Sequence, residues 1–100
     1  MKYNKLIRDK IPEILENKGV KFKIHIAKNK EYWEKLKEKL GEEFDEFKKN
    51  EDIEEIADIM EVMDAICVFK KFGRKKLINL KNKKLKERGG FKKKIILEES

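Results

Sequence analysis

The chain contains one cysteine, one proline, one histidine and one tryptophan, and neither glutamine nor threonine. A lone cysteine, Cys67, has no partner for an internal disulfide. It lies in the apolar run Ile66-Cys67-Val68-Phe69, where a small buried core residue is expected. No stretch approaches the roughly 20 apolar residues that span a bilayer. No apolar signal core follows Met1-Lys2-Tyr3-Asn4-Lys5. Linkers, repeats and low-complexity tracts are absent apart from Lys-rich patches. These absences argue against a disulfide scaffold and a helical membrane protein, and the expected location is the cytoplasm.

Apolar residues are also scarce, at 39% of 100 residues against 47% charged. One domain spanning 1–100 is expected at this length. A monomer of that size buries only about 60–70% of its unfolded surface, so a second copy is expected to complete the core. Richness in Lys, Glu and Ile, with Gln and Thr missing, is the leaning of hyperthermophile proteins.

The net charge of +7 is unevenly spread. Residues 1–30 carry nine basic against three acidic side chains, residues 31–64 five against fourteen, and residues 65–100 thirteen against three. An acidic centre thus sits between two basic ends. A plain nucleic-acid binder has no use for that centre, whereas a site for a divalent metal and a polyphosphate needs both signs.

Asp9 is placed to cap a short helix of about 10–18, with Pro12 in its first turn and Gly19 closing it. Val20, Phe22, Ile24 and Ile26 then alternate with polar residues, the period of a strand with one buried face. His25 falls on its polar side and reads as an ordinary surface histidine. Asn29 suits the N-cap of a helix over 30–49 whose apolar residues are Trp33, Leu36, Leu40, Phe44 and Phe47. A polar turn at 48–52 leads to Asp52, the cap of a second long helix over 53–72 that ends at Gly73. A basic helix over 74–88 stops at Gly89-Gly90, and Phe91–Leu97 is expected as a second strand, antiparallel to residues 21–26. The expected fold is therefore mainly α: an antiparallel helical hairpin, a third helix and a small two-stranded antiparallel sheet. Two strands alone are marginal, so they must pack on the helices.

The hairpin carries the chemistry. With Leu40 at zero and about 100° per residue, Glu43 falls near −60° and Glu46 near −120°, on one flank of the apolar stripe. Glu42 falls near −160°, on the far side, by the same period of about 100°. With Ile59 at zero, Glu55 falls near about −40° and Asp58 near about −100°, while Glu61 and Asp64 face away. A short turn makes the helices antiparallel. The pairs Glu46/Glu55 and Glu43/Asp58 are both centred between Asn50 and Glu51, so all four carboxylates can converge. Crowded carboxylates beside a core repel and lose solvation. A divalent ion removes that cost, and oxygen-only ligands suit Mg²⁺ or Mn²⁺. The bland alternatives are local: Glu55 completing a capping box with Asp52, and Glu43 pairing with Lys39 at i,i+4.

Glu42-Glu43-Phe44-Asp45-Glu46 followed by Glu55-Ile56-Ala57-Asp58 resembles the EExxE…ExxD signature of the MazG-like, all-α nucleotide pyrophosphohydrolases. The spacer of eight residues is shorter than in many members. Tyr3-Asn4-Lys5-Leu6-Ile7-Arg8-Asp9-Lys10-Ile11-Pro12-Glu13 and Glu87-Arg88-Gly89-Gly90-Phe91 resemble a short subgroup described as phosphoribosyl-ATP pyrophosphohydrolase-like. The resemblance implies hydrolysis of a nucleoside triphosphate between the α and β phosphates. It further implies metal ligation by Glu43, Glu46, Glu55 and Asp58, and dimers or tetramers with sites near subunit interfaces. Glu42 matches the first Glu of the signature and has no assigned role. Lys5, Arg8 and Lys10 from one basic end, with Lys84 and Arg88 from the other, are the candidate phosphate-binding cations. The alternatives are the phosphoribosyl-ATP pyrophosphohydrolase of histidine biosynthesis and a non-enzymatic basic protein that binds nucleic acid.

Overall fold

A computed structural model describes residues 3–100. It contains four helices: α1 (Ile11–Asn17), α2 (Asn29–Asn50), α3 (Ile53–Lys70) and α4 (Arg74–Arg88). Their limits follow local chemistry. Asp52 caps α3, its carboxylate accepting from the Ile53 amide at 2.6 Å. Glu51 takes the left-handed conformation that lets the chain reverse, and its amide donates to the Phe47 carbonyl at 2.7 Å. Lys71, at φ +58°, closes α3 in the same way. Asp9 does not cap α1: Lys10 holds that position without a side-chain bond. Asn29 is the first residue of α2 rather than its cap, which is Lys28.

The antiparallel α2–α3 hairpin is the one substantial helix pair among the described residues. Leu36 (1% exposed) packs in the core with Ile59 and Val62. At the end away from the turn, Tyr32 and Trp33 close on Phe69, the first edge-on at 5.2 Å and the second stacked at 5.7 Å. Lys70 covers the Trp33 ring at 4.5 Å, a cation–π contact that screens the indole from water. Leu6, Ile7, Ile11, Pro12 and Leu15, in the leading segment and α1, are half-buried. Cys67 is half-buried rather than enclosed. No helix among the described residues is long and apolar enough to cross a membrane.

The expected sheet is not formed: residues 21–26 and 91–97 carry no strand among the described residues. A period of two promises a strand only when something covers its apolar face, and among the described residues that cover is incomplete. Ile26 is 88% exposed and Phe91 97%. A turn bond from the Lys94 amide to the Phe91 carbonyl (3.2 Å), with Lys94 at φ +59°, breaks the second segment. α4 buries none of its residues.

The fold consequently leaves much apolar surface uncovered. Its radius of gyration is 17.9 Å, against about 13 Å for a compact chain of this length. Its accessible surface is 10017 Å², against about 6,000 Å² for a compact monomer of this mass. On α3, Ile53, Ile56, Met60 and Met63 form an exposed stripe that flanks the Ile59 and Val62 face.

Candidate metal centre

Glu43 comes from the middle of α2; Glu55 and Asp58 come from the first two turns of α3. The hairpin brings one carboxylate oxygen from each within 4.8 Å of the others. Oxygens bound to a single Mg²⁺ lie about 3.0 Å apart when adjacent and about 4.2 Å when opposite, so the three would have to draw closer to share one ion. Glu43 is 8% exposed and is the one buried charged residue among those described. A buried carboxylate needs a cation or hydrogen bonds. The donor set is all oxygen, which fits Mg²⁺ or Mn²⁺.

Glu46 stands outside this trio, exposed, and is linked to it through Asn50. The Asn50 amide nitrogen lies 3.4 Å from Glu46 Oε2 and 3.2 Å from Glu55 Oε1. Glu55 therefore turns toward Asn50, Glu43 and Asp58. The capping box with Asp52 has no side-chain bond here, although the Glu55 amide donates to the Asp52 carbonyl at 3.2 Å. The Glu43–Lys39 pair does form, at 3.4 Å.

Cations ring the cluster. Arg8 Nη2 donates to Asp58 Oδ1 at 2.7 Å, and Lys5 Nζ donates to Glu42 Oε1 at 3.2 Å. Lys39 Nζ lies between Glu42 (3.5 Å) and Glu43 (3.4 Å). Lys5, Arg8, Lys39, Glu43 and Asp58, with Ile7 and Ile11, line one open recess of about 290 Å³. Burial alone pushes the Glu42 carboxyl up. Hydrogen bonds and charge from Lys5 and Lys39 outweigh it and hold the group below its usual range.

Of the cations the sequence nominated, Lys5 and Arg8 reach this recess; Lys10, Lys84 and Arg88 line no part of it. Lys84 and Arg88 sit on α4, which buries none of its residues. Lys39 and Asn50 were missed. Lys39 was visible only as a local partner of Glu43, although i,i+3 and i,i+4 spacing places it against both Glu42 and Glu43. Asn50 lay in a stretch read as a turn, yet it ends α2 four residues after Glu46. His25 is exposed and pairs with Glu31 at 3.0 Å, away from the cluster. Comparison with protein-family models, curated proteins and solved structures finds no match for the chain.

Proposed function

We propose that the chain is a MazG-like, Mg²⁺-dependent nucleotide pyrophosphohydrolase that cuts a nucleoside triphosphate between its α and β phosphates. The observation that carries this reading is the recess in which carboxylates from two helices meet cations from the leading segment and α2. Glu43, Glu55 and Asp58 would hold the metal, with Glu46 joining them by a side-chain rotation about its contact with Asn50. A bound Mg²⁺ supplies polarisation of phosphoryl oxygens and a more acidic water. The side chains do the rest. Arg8 offers a planar pair of donors suited to phosphate oxygens, and Lys5 and Lys39 add point charges beside it. Ile7 and Ile11 form an apolar edge to the same recess.

The direct test is a panel of nucleoside triphosphates incubated with Mg²⁺, with pyrophosphate resolved from phosphate. The expected products are a monophosphate and pyrophosphate. Phosphate release alone would overturn the reading. Salt-dependent DNA or RNA binding without Mg²⁺, and no turnover, would favour a basic nucleic-acid-binding protein, for which exposed α4 is the natural surface. Turnover confined to a phosphoribosyl adenylate would favour the histidine-pathway enzyme.

A second expectation concerns Arg8. Arg8→Ala should raise KM about tenfold, the scale of one lost charge-assisted contact. Mg²⁺ affinity should hold or improve, because Asp58 loses a competing partner. Unchanged KM would return Arg8 to an ordinary surface ion pair. The same reading assigns the protein a homodimeric or tetrameric state, supported by its uncovered apolar surface.

A further inference from the structure

We infer that Glu42 is a positioning residue: it holds Lys5 and Lys39 together at the rim of the carboxylate cluster, where the pair receives the phosphates of the substrate. The inference rests on the pyrophosphohydrolase reading and adds a residue that the metal trio does not use.

Glu42 neighbours Glu43 in sequence but does a different job. Its oxygens are not among those of Glu43, Glu55 and Asp58 that gather within 4.8 Å. One of them, Oε1, instead meets two ammonium groups, Lys5 Nζ at 3.2 Å and Lys39 Nζ at 3.5 Å. The two lysines come from unrelated places. Lys39 is on α2, one turn earlier, and is mostly buried along its stem. Lys5 lies in the leading segment, which has no regular structure. Such a lysine has a long side chain and a large rotamer entropy to lose. Besides the Tyr3 ring, 5.6 Å from Nζ, Glu42 is the group that fixes it. Through that contact the leading segment is fastened to α2, as Arg8 fastens it to Asp58 on α3.

A carboxylate held between two lysines keeps one acceptor pair and leaves each ammonium further N–H donors. Two like charges would otherwise repel at this separation. Glu42 therefore keeps a dense patch of positive charge assembled beside the metal ligands, the arrangement a polyphosphate chain requires.

The test is calorimetry of the full chain, first with Mg²⁺ alone and then with magnesium tripolyphosphate, on wild type, Glu42→Gln, Lys5→Met and the double variant. Glu42→Gln should leave the Mg²⁺ affinity within about twofold and weaken tripolyphosphate about fivefold, as loss of a partly exposed charge pair does. Acting through Lys5, its effect should shrink below about twofold in the Lys5→Met background, the non-additivity of residues that share one role. Equal tripolyphosphate binding in wild type and Glu42→Gln, or strictly additive losses, would overturn the role given to Glu42 while leaving the site intact. Wild type that binds no magnesium tripolyphosphate would overturn the site, and the Glu42 role with it.

Discussion

Asp58→Asn is expected to lower turnover by at least about 100-fold while leaving the metal-free fold as stable as before. The two halves of this result have separate causes. Asp58 is one of three carboxylates gathered for the metal, and an amide cannot supply the charge that holds a divalent ion. In the fold, however, Asp58 is half-buried and its partner is the exposed Arg8. A partly exposed pair of that kind contributes about 0–1 kcal/mol, and its loss is offset by relief of repulsion from Glu43 and Glu55. Mg²⁺ at millimolar concentration should raise the melting temperature of wild type, since a ligand bound only by the folded state stabilises it. That rise should vanish in Asp58→Asn. Glu43→Gln should act alike, and Glu46→Gln should too if Asn50 releases its side chain to the ion. Glu61→Gln, on the exposed side of α3, should change neither quantity. Full activity in Asp58→Asn, or a melting temperature indifferent to Mg²⁺, would reduce the cluster to caps and salt-bridge partners.

What the sequence made legible, and what it did not, divides along one physical line. Helices whose apolar period is answered inside the same chain were readable: Leu36 on α2 and Ile59 and Val62 on α3 find each other across a two-residue turn. The same period fixed the angular positions of Glu43, Glu55 and Asp58, and the symmetry of the hairpin set their heights. Features that depend on a group elsewhere were not readable. The strand pattern of 21–26 is real in sequence but its cover among the described residues is incomplete. Glu46 lies at the right height but turns toward Asn50, an i,i+4 contact that reading 48–52 as a turn hides. The wheel likewise left Glu42 without a role, because Lys5, its partner, arrives from 37 residues away.

A lysine placed at Met60 is expected to turn a dimer into a monomer and to lower the melting temperature by more than about 10 °C. Within one chain Met60 is 59% exposed and Ile53 81%, so a polar substitution at either would be nearly neutral, within about 0.5 kcal/mol, if the monomer were the working unit. The proposed dimer predicts a large effect instead. Ile53, Ile56, Met60 and Met63 recur at the alternating three- and four-residue spacing of a helix–helix seam, on an exposed flank of α3. An apolar face this wide belongs inside a bundle. The charges favour a second copy of the same helix running the opposite way. The N-terminal end of α3 carries Asp52 and Glu54, and its far end Lys70 and Lys71. A two-fold antiparallel pairing sets each acidic end against a basic one and opposes the helix dipoles. Accessible surface in excess of a compact monomer, about 4,000 Å² from the area scaling, is ample for a stable dimer at about 2,000 Å² or more. Light scattering should therefore give a dimer mass or a multiple of it at micromolar concentration. The melting temperature should rise with protein concentration, as it does when folding and association are linked. Met60→Lys should abolish that dependence, and Val68→Lys, outside the seam, should retain it. A monomeric wild type, or a Met60→Lys variant with unchanged mass and melting temperature, would remove the dimer and leave the α3 stripe as exposed surface.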